Sequence, residues 1–322
     1  MAIDAHGHVV APELVEVAAE RTKGLVVPDE AGAGVAFKVG DKELSHRMPP
    51  AILDVPGRTQ WMDDQGIDIQ IVGTWSQLYG YHLDPDDAVA WVELMNDTLI
   101  SALDGYTDRM KPLVALPLQA PDASAEVIHG ARAKGFVGAV IGTGVGPVTF
   151  DDPSLDPVWG AAAEVGLPLF MHPEACANDP RLRDYGLVNA VGRGCDTTIA
   201  CSRMLMSGTL DRFPELKLLV AHGGGTLPYL LGRLQRNHAI NPTTTADPTA
   251  AYSRLYFDTV VFTPAVLEFL VTVTSVDRVL CGSDNPFPIE DPNPTSVIEL
   301  SNLGDLAKQA ILHDNAVKLF GL

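Results

Sequence analysis

Positive charge is scarce in this chain. Of 322 residues, 22 are Lys or Arg against 41 Asp or Glu, a formal net charge of −19. Nucleic acid and anionic membranes are bound by clustered cations, so neither is expected as a partner. Cysteine is scarce as well. Cys176, Cys195, Cys201 and Cys281 are scattered with no CxxC pair, too few for a disulfide framework and consistent with reduced thiols. No apolar run reaches the roughly 18 residues of a membrane-spanning helix. Met1 is followed almost at once by Asp4 and His6, so no signal peptide is expected, and the expected location is the cytoplasm. Internal repeats and low-complexity tracts are missing too.

What remains is a chain with a large potential core, 46% hydrophobic and 20% charged. Its length suits two average domains or one α/β barrel. Eight strand-like runs recur: AIDAH at the start, then residues 67–73, 110–117, 137–143, 167–172, 216–222, 255–261 and 278–284. Most are apolar throughout rather than alternating, as parallel strands covered on both faces should be. Helical patterns lie between them at 85–105, 121–134, 154–165, 196–208, 226–237 and 264–274, several opening on Asp, Ser or Pro. An eightfold strand–helix alternation predicts a (β/α)8 barrel. A doubly wound open sheet is the competitor, but no Gly-rich phosphate loop follows the first strand.

Residues 24–55 break the rhythm. GVAFKVGDKELSHRM reads as a β-hairpin around Gly40-Asp41, inserted before a helix that begins near Asp54. The expectation is one barrel domain over 1–322, with 24–55 an elaboration over its mouth. Residues 241–251, NPTTTADPTAA, read as a flexible loop, and the closing LGDLAKQAILHDNAVKLFGL reads as amphipathic helix.

The chemistry sits in IDAHGHV. His6 and His8 are two apart at the end of the first strand and so project to one side. His172, His222 and Asp284 fall at the ends of the fifth, sixth and eighth strands. In a barrel those ends converge on one rim, where active sites are kept. Imidazole nitrogens with a carboxylate suit zinc, manganese or iron, with a position left for water. The metal would lower the pKa of that water and polarise substrate oxygens. A histidine not used as a ligand is suited to general acid/base work. The glycines of HGGGT would let backbone approach closely and bend into the next helix.

His6-Gly-His8, FMHP, AHGGG and CGSDNPFP, in this order and spacing, resemble the amidohydrolase superfamily. More narrowly, they resemble its branch of aminocarboxymuconate-semialdehyde decarboxylase and related aromatic-acid decarboxylases. The resemblance runs along essentially the whole chain. It implies that His6, His8, His172 and Asp284 hold one divalent metal, usually zinc, and that His222 is the acid/base, with Asp284 able to share in moving the proton. It also implies that Arg47 grips a substrate carboxylate and that Arg233 reaches into a neighbouring subunit's site, so a homodimer is expected. Two departures bear on the substrate: Glu174 stands where the decarboxylase carries tryptophan after His-Pro, and Asn285 replaces the tyrosine of GSDYPF. Glu174, Tyr185 and Trp75 are candidate substrate contacts, with Tyr79 and His46 beside them. Cys281 reads as a small buried hydrophobe, and His82, His129, His238 and His313 have no supporting context.

The function expected is metal-dependent decarboxylation of a small, anionic, unsaturated or aromatic acid. The alternative is a hydrolase or hydratase using the same activated water on an amide, lactone or C=C bond, and a non-catalytic metal-binding scaffold is a third class.

Overall fold

A computed structural model describes the chain apart from residues 30–33, 45–46, 175–178 and 242. Two of the candidates named above, His46 and Cys176, lie outside the described residues.

Eight parallel strands form one sheet, in the order β1 (Ile3–His8), β5 (Ile69–Gly73), β6 (Met110–Ala115), β7 (Gly138–Ile141), β8 (Leu169–Met171), β9 (Leu218–Val220), β10 (Tyr256–Asp258) and β11 (Val279–Leu280). Each falls within or against one of the runs read from the sequence. Backbone hydrogen bonds join the last strand back to the first: Ala5 N to Cys281 O at 2.8 Å, Asp284 N to His6 O at 2.9 Å and His8 N to Asn285 O at 2.8 Å. The sheet is therefore a (β/α)8 barrel. Its strands are buried almost throughout, with β1, β6, β7, β8, β9 and β10 carrying only one partly exposed residue among them. That is why the runs lack alternation: one face fills the barrel and the other meets helices.

The surrounding helices are α1 (Pro12–Arg21), α2 (Val55–Gln65), α3 (Pro85–Ala102), α4 (Pro121–Ala131), α5 (Asp156–Val165), α6 (Arg193–Met206), α7 (Thr209–Arg212), α8 (Leu227–Ile240), α9 (Pro248–Tyr252), α10 (Pro264–Val273), α11 (Ser296–Glu299), α12 (Asp305–Gln309) and α13 (Asn315–Phe320). Their ends follow local chemistry. The Asp54 side chain accepts from Gly57 N to open α2, and Gly66 closes it at φ 67; α5 closes the same way on Gly166 at φ 63. Proline occupies the first turn of α1, α3, α4, α8, α9 and α10, where its missing N–H costs nothing.

Two elements differ from expectation. The insertion is a three-stranded antiparallel sheet rather than a bare hairpin: β2 (Val26–Asp29), β3 (Ala36–Val39) and β4 (Lys42–Glu43) pair in that order. Its extra strand includes Pro28, and a proline at an edge lowers a run's strand signal. Residues 241–251 are not all loop either, because the Asp247 side chain accepts from Thr249 N and starts α9. Among the described residues no helix is long and apolar enough to cross a membrane.

Candidate metal centre and its cavity

Strand β1 turns His6 and His8 to the same side, and their Nε2 atoms lie 3.2 Å apart. His172 directly follows β8, and Asp284 lies beyond β11. Asp284 Oδ1 is 3.2 Å from His6 Nε2, 3.2 Å from His8 Nε2 and 3.9 Å from His172 Nε2. One ligand atom from each residue lies within 4.8 Å of every other, and all four residues are buried. A tetrahedron of ligands set 2.0–2.1 Å from its centre has edges of about 3.3 Å, so the set is close to the size a first-row divalent ion needs.

Hydrogen bonding supports the same assignment. His6 Nδ1 donates to Asp258 Oδ2 at 2.7 Å, and His8 Nδ1 pairs with the carbonyl of Thr74 at 3.2 Å. Each bond directs the opposite nitrogen, Nε2, at the common point, the usual arrangement behind metal-bound imidazole. His172 Nε2 and Asp284 Oδ1 are buried with no hydrogen-bond partner. Such atoms are costly to leave unsatisfied, and a cation answers all of them at once. The residues fit a divalent metal.

Electrostatics follow from burial and from this crowding. Burial opposes charge on His6, but the Asp284 and Asp258 carboxylates outweigh it and lift the imidazole to about 10. His8 and His172 lie below the ordinary histidine value, with burial the main cause. For Asp284, burial works against ionisation, yet the charge on His6 and the close approach of the His172 and His222 imidazoles hold it well below the usual carboxylate range.

His222 stands apart from this set. Its Nε2 approaches the other oxygen of the aspartate, Asp284 Oδ2, at 3.4 Å, and its Nδ1 is buried without a partner. Asp284 thus presents Oδ1 to three histidines and Oδ2 to the fourth. Both residues sit in left-handed backbone, His222 at φ 57 and Asp284 at φ 63, a conformation that costs a non-glycine residue and collects at functional sites. Asp258, the last residue of β10, holds the His222 turn: its carboxylate accepts from His222 N at 3.0 Å and Gly223 N at 2.9 Å. The glycines that follow are needed where they stand. A Cβ on Gly225 would run into the carbonyl of Gly194, and one on Gly224 would lie 2.7 Å from the Phe257 ring.

The centre opens into a cavity of about 610 Å³, within the usual range for a small-molecule site. His172 and Asp284 form its floor; Trp75, Met48, Phe287 and Ile289 give it apolar walls; Arg47 and Arg193 are the cations among its described lining residues. Trp75, buried at 3% exposure, lines the cavity as expected, while Tyr79 is buried beside Tyr81 and is not among the lining residues. Tyr185 lines the mouth and is 95% exposed. Arg47 also lines it, but its guanidinium is engaged, with Nη1 on Asp29 Oδ2 at 3.1 Å and Nη2 on the carbonyls of Asp29 and Gly34. Glu174 is half-buried and not among the lining residues, and burial pushes its carboxyl up to about 7, with Lys42 and Arg193 opposing the rise and Asp196 adding to it. Arg233 is exposed on α8 and does not line this chain's cavity. Asn285 is buried and donates to Glu290, and Cys281 is buried with its thiol pushed well up by burial. His82, His129, His238 and His313 each pair locally, away from the centre.

An amidohydrolase family model matches residues 3–322. The chain belongs to the amidohydrolase family. Within it, this amidohydrolase falls in the branch that includes the aminocarboxymuconate-semialdehyde and aromatic-acid decarboxylases. It is 29% identical over 272 residues to 2-amino-3-carboxymuconate-6-semialdehyde decarboxylase of Dictyostelium discoideum, covering 82% of this chain and 76% of the relative. It is 24% identical over 348 residues to 2-keto-4-carboxy-3-hexenedioate hydratase of Sphingobium sp., covering 99% and 96%. Among solved structures, 5-carboxyvanillate decarboxylase of Novosphingobium aromaticivorans, complexed with manganese and 4-hydroxy-3-methoxy-5-nitrobenzoic acid, matches with a TM-score of 0.81 at 25% identity, covering 100% of this chain and 96% of that one.

Three groups at the site went unnoticed in the sequence. Asp258 ends the seventh strand, Tyr256–Asp258, but lies in the middle of the run read as 255–261, so the strand-end rule that found His172 passed over it. Asp4, which accepts from Gln70 Nε2 at 2.8 Å and Ser283 N at 3.0 Å beneath the ligands, and Arg193, in the cavity wall, carried no comparable signal.

Proposed function

We propose that the chain is a metal-dependent decarboxylase acting on a small, carboxylated aromatic or unsaturated acid. The observation that carries this reading is the joining of a three-histidine, one-aspartate centre to an apolar cavity whose charged wall residues are arginines. His6, His8, His172 and Asp284 would hold one divalent ion, with zinc the first choice and manganese or iron the alternatives. That ion supplies Lewis acidity toward substrate oxygens and water. The chain's own residues do the rest. Trp75, Met48 and Phe287 enclose a flat apolar body and exclude water from it. Arg47, once released from Asp29, would grip a carboxylate at the mouth, where Tyr185 also lines the opening, and Glu174 would be a further substrate contact. His222, with Asp284 Oδ2 beside its Nε2, delivers the proton that takes the place of carbon dioxide on the substrate carbon. The C–CO2 bond breaks, its electron pair stays on that carbon and forms the new C–H bond, and carbon dioxide leaves.

The barrel and residues 24–55 are read as one domain over 1–322, and the active unit as a homodimer. Helix α8 supports the second point. Of its fourteen residues only Leu227 and Pro228 are buried, and Tyr229, at 80% exposure, and Arg233 face outward. An exposed aromatic beside an arginine with no ion pair among the described residues is the composition of an interface. Arg233 would then complete the partner's site.

Hydration is the second reading, favoured by the similarity to a hydratase. The product mass separates the two. In D2O, decarboxylation yields a product lighter by one carbon dioxide with one deuterium on carbon. Retention of all carbons with addition of water overturns the decarboxylase reading.

A further inference from the structure

Arginine is rare in this acidic chain, and two arginines reach the same cavity. Arg47 is tied down by Asp29 and Gly34. Arg193 is not. Its Nη1 donates to the carbonyl of Pro173 at 2.7 Å, next in sequence to His172, and this tethers the guanidinium by one nitrogen. No other hydrogen bond and no ion pair engages it among the described residues, although it lines the cavity that His172 and Asp284 floor. Asp196 and Glu174 act on it at longer range only, and the Asp196 carboxylate is occupied by Thr143 Oγ1 at 2.6 Å. A partly buried guanidinium with open donors leaves charge-assisted hydrogen bonds unmade.

The local backbone explains the placement. Val188–Gly192 forms a π turn that runs directly into α6. Widened turns of this kind gather at functional sites. Here the turn sets Asn189, Ala190 and Arg193 on the cavity side, while Val191 is left facing solvent at 45% exposure.

We propose that Arg193 is a specificity-determining anchor for a second carboxylate on the substrate, distinct from the reacting one. The preferred substrates are then small planar dicarboxylates, the apolar walls holding the ring and the guanidinium taking the second carboxylate in bidentate fashion. This rests on the decarboxylase reading only for which carboxylate reacts.

Calorimetric titration of the metal-loaded protein with isophthalate and benzoate tests it, because the two differ by one carboxylate. The wild type should bind isophthalate more tightly by roughly 10- to 100-fold, the scale of a charge-assisted hydrogen bond. Arg193→Met should abolish that ratio while leaving benzoate affinity and metal content unchanged, and Arg193→Lys should restore part of it. The proposal is overturned if the wild type does not discriminate, if Arg193→Met keeps the ratio, or if benzoate affinity falls in parallel, which would make the residue merely structural. Failure to release carbon dioxide from any acid would sink the decarboxylase reading and leave this ratio intact, so the two failures are distinguishable.

Discussion

Individual side chains divide the labour at the centre. His172 is the ligand with no other hydrogen-bond partner on either ring nitrogen, so its removal should be felt by the metal alone. We expect His172→Ala to lose most of its metal on dialysis, measured by elemental analysis; full occupancy would remove His172 from the site. His222 should behave in the opposite way. His222→Ala should retain metal and lose about two or more orders of magnitude in turnover, the usual scale for a general acid/base group, whereas loss of metal would make it a ligand. Asp258 touches both, through His6 Nδ1 and the His222 backbone. Asp258→Asn keeps the shape but weakens the hold on His6, and metal affinity should fall roughly 10- to 100-fold, as for other groups that orient a ligand. At this scale the sequence was most readable where a residue's position implied its direction. His6 and His8 follow from strand alternation, and His172 from its strand end. Arg193 could not be read this way, because a cavity-facing arginine that opens a helix after a π turn looks like any surface arginine until the helix register is known.

Elements were legible in proportion to their burial. The eight barrel strands stood out because both faces are covered and most of their residues are apolar. The insertion was only half read, because β2 is short, partly exposed and contains Pro28. The turn after β9 was read correctly as a close approach, and its tightest point is Gly225. At φ 62, with the Gly194 carbonyl where a Cβ would go, Gly225→Ala should lower stability by about 1–3 kcal/mol and displace His222. Gly105→Ala gives the comparison. It shares the left-handed backbone, at φ 82, but has open space around it, so only the backbone cost of about 1–2 kcal/mol is expected. Thermal unfolding of the two variants, with turnover measured alongside, checks the difference. Equal losses of activity would mean that the turn after β9 has no special part in placing His222.

The whole molecule is a barrel that brings together groups as distant in sequence as His6 and Asp284, and it closes by bonds made between those same segments, Asp284 N to His6 O among them. Metal bound there clamps the seam between the last strand and the first. Chelation should therefore lower the thermal midpoint, since a ligand that binds only the folded state stabilises it by mass action. If α8 completes a neighbour's site, mixing inactive Arg233→Ala and His222→Ala subunits should restore activity through one hybrid site with every group intact; no recovery after confirmed subunit exchange would place Arg233 outside catalysis. Assembly and substrate were the least legible features, because both depend on surfaces that no strand or helix period encodes. The most direct test of the central claim is carbon dioxide release from carboxyl-labelled aromatic mono- and dicarboxylates, with 5-carboxyvanillate among them, by the metal-loaded protein and by His172→Ala. Labelled carbon dioxide formed in equal amount to the decarboxylated product, by the metal-loaded protein and not by the variant, is the result expected. Release that is unchanged in a metal-free His172→Ala protein, or substrate turned over with its carboxylates retained, would contradict the account.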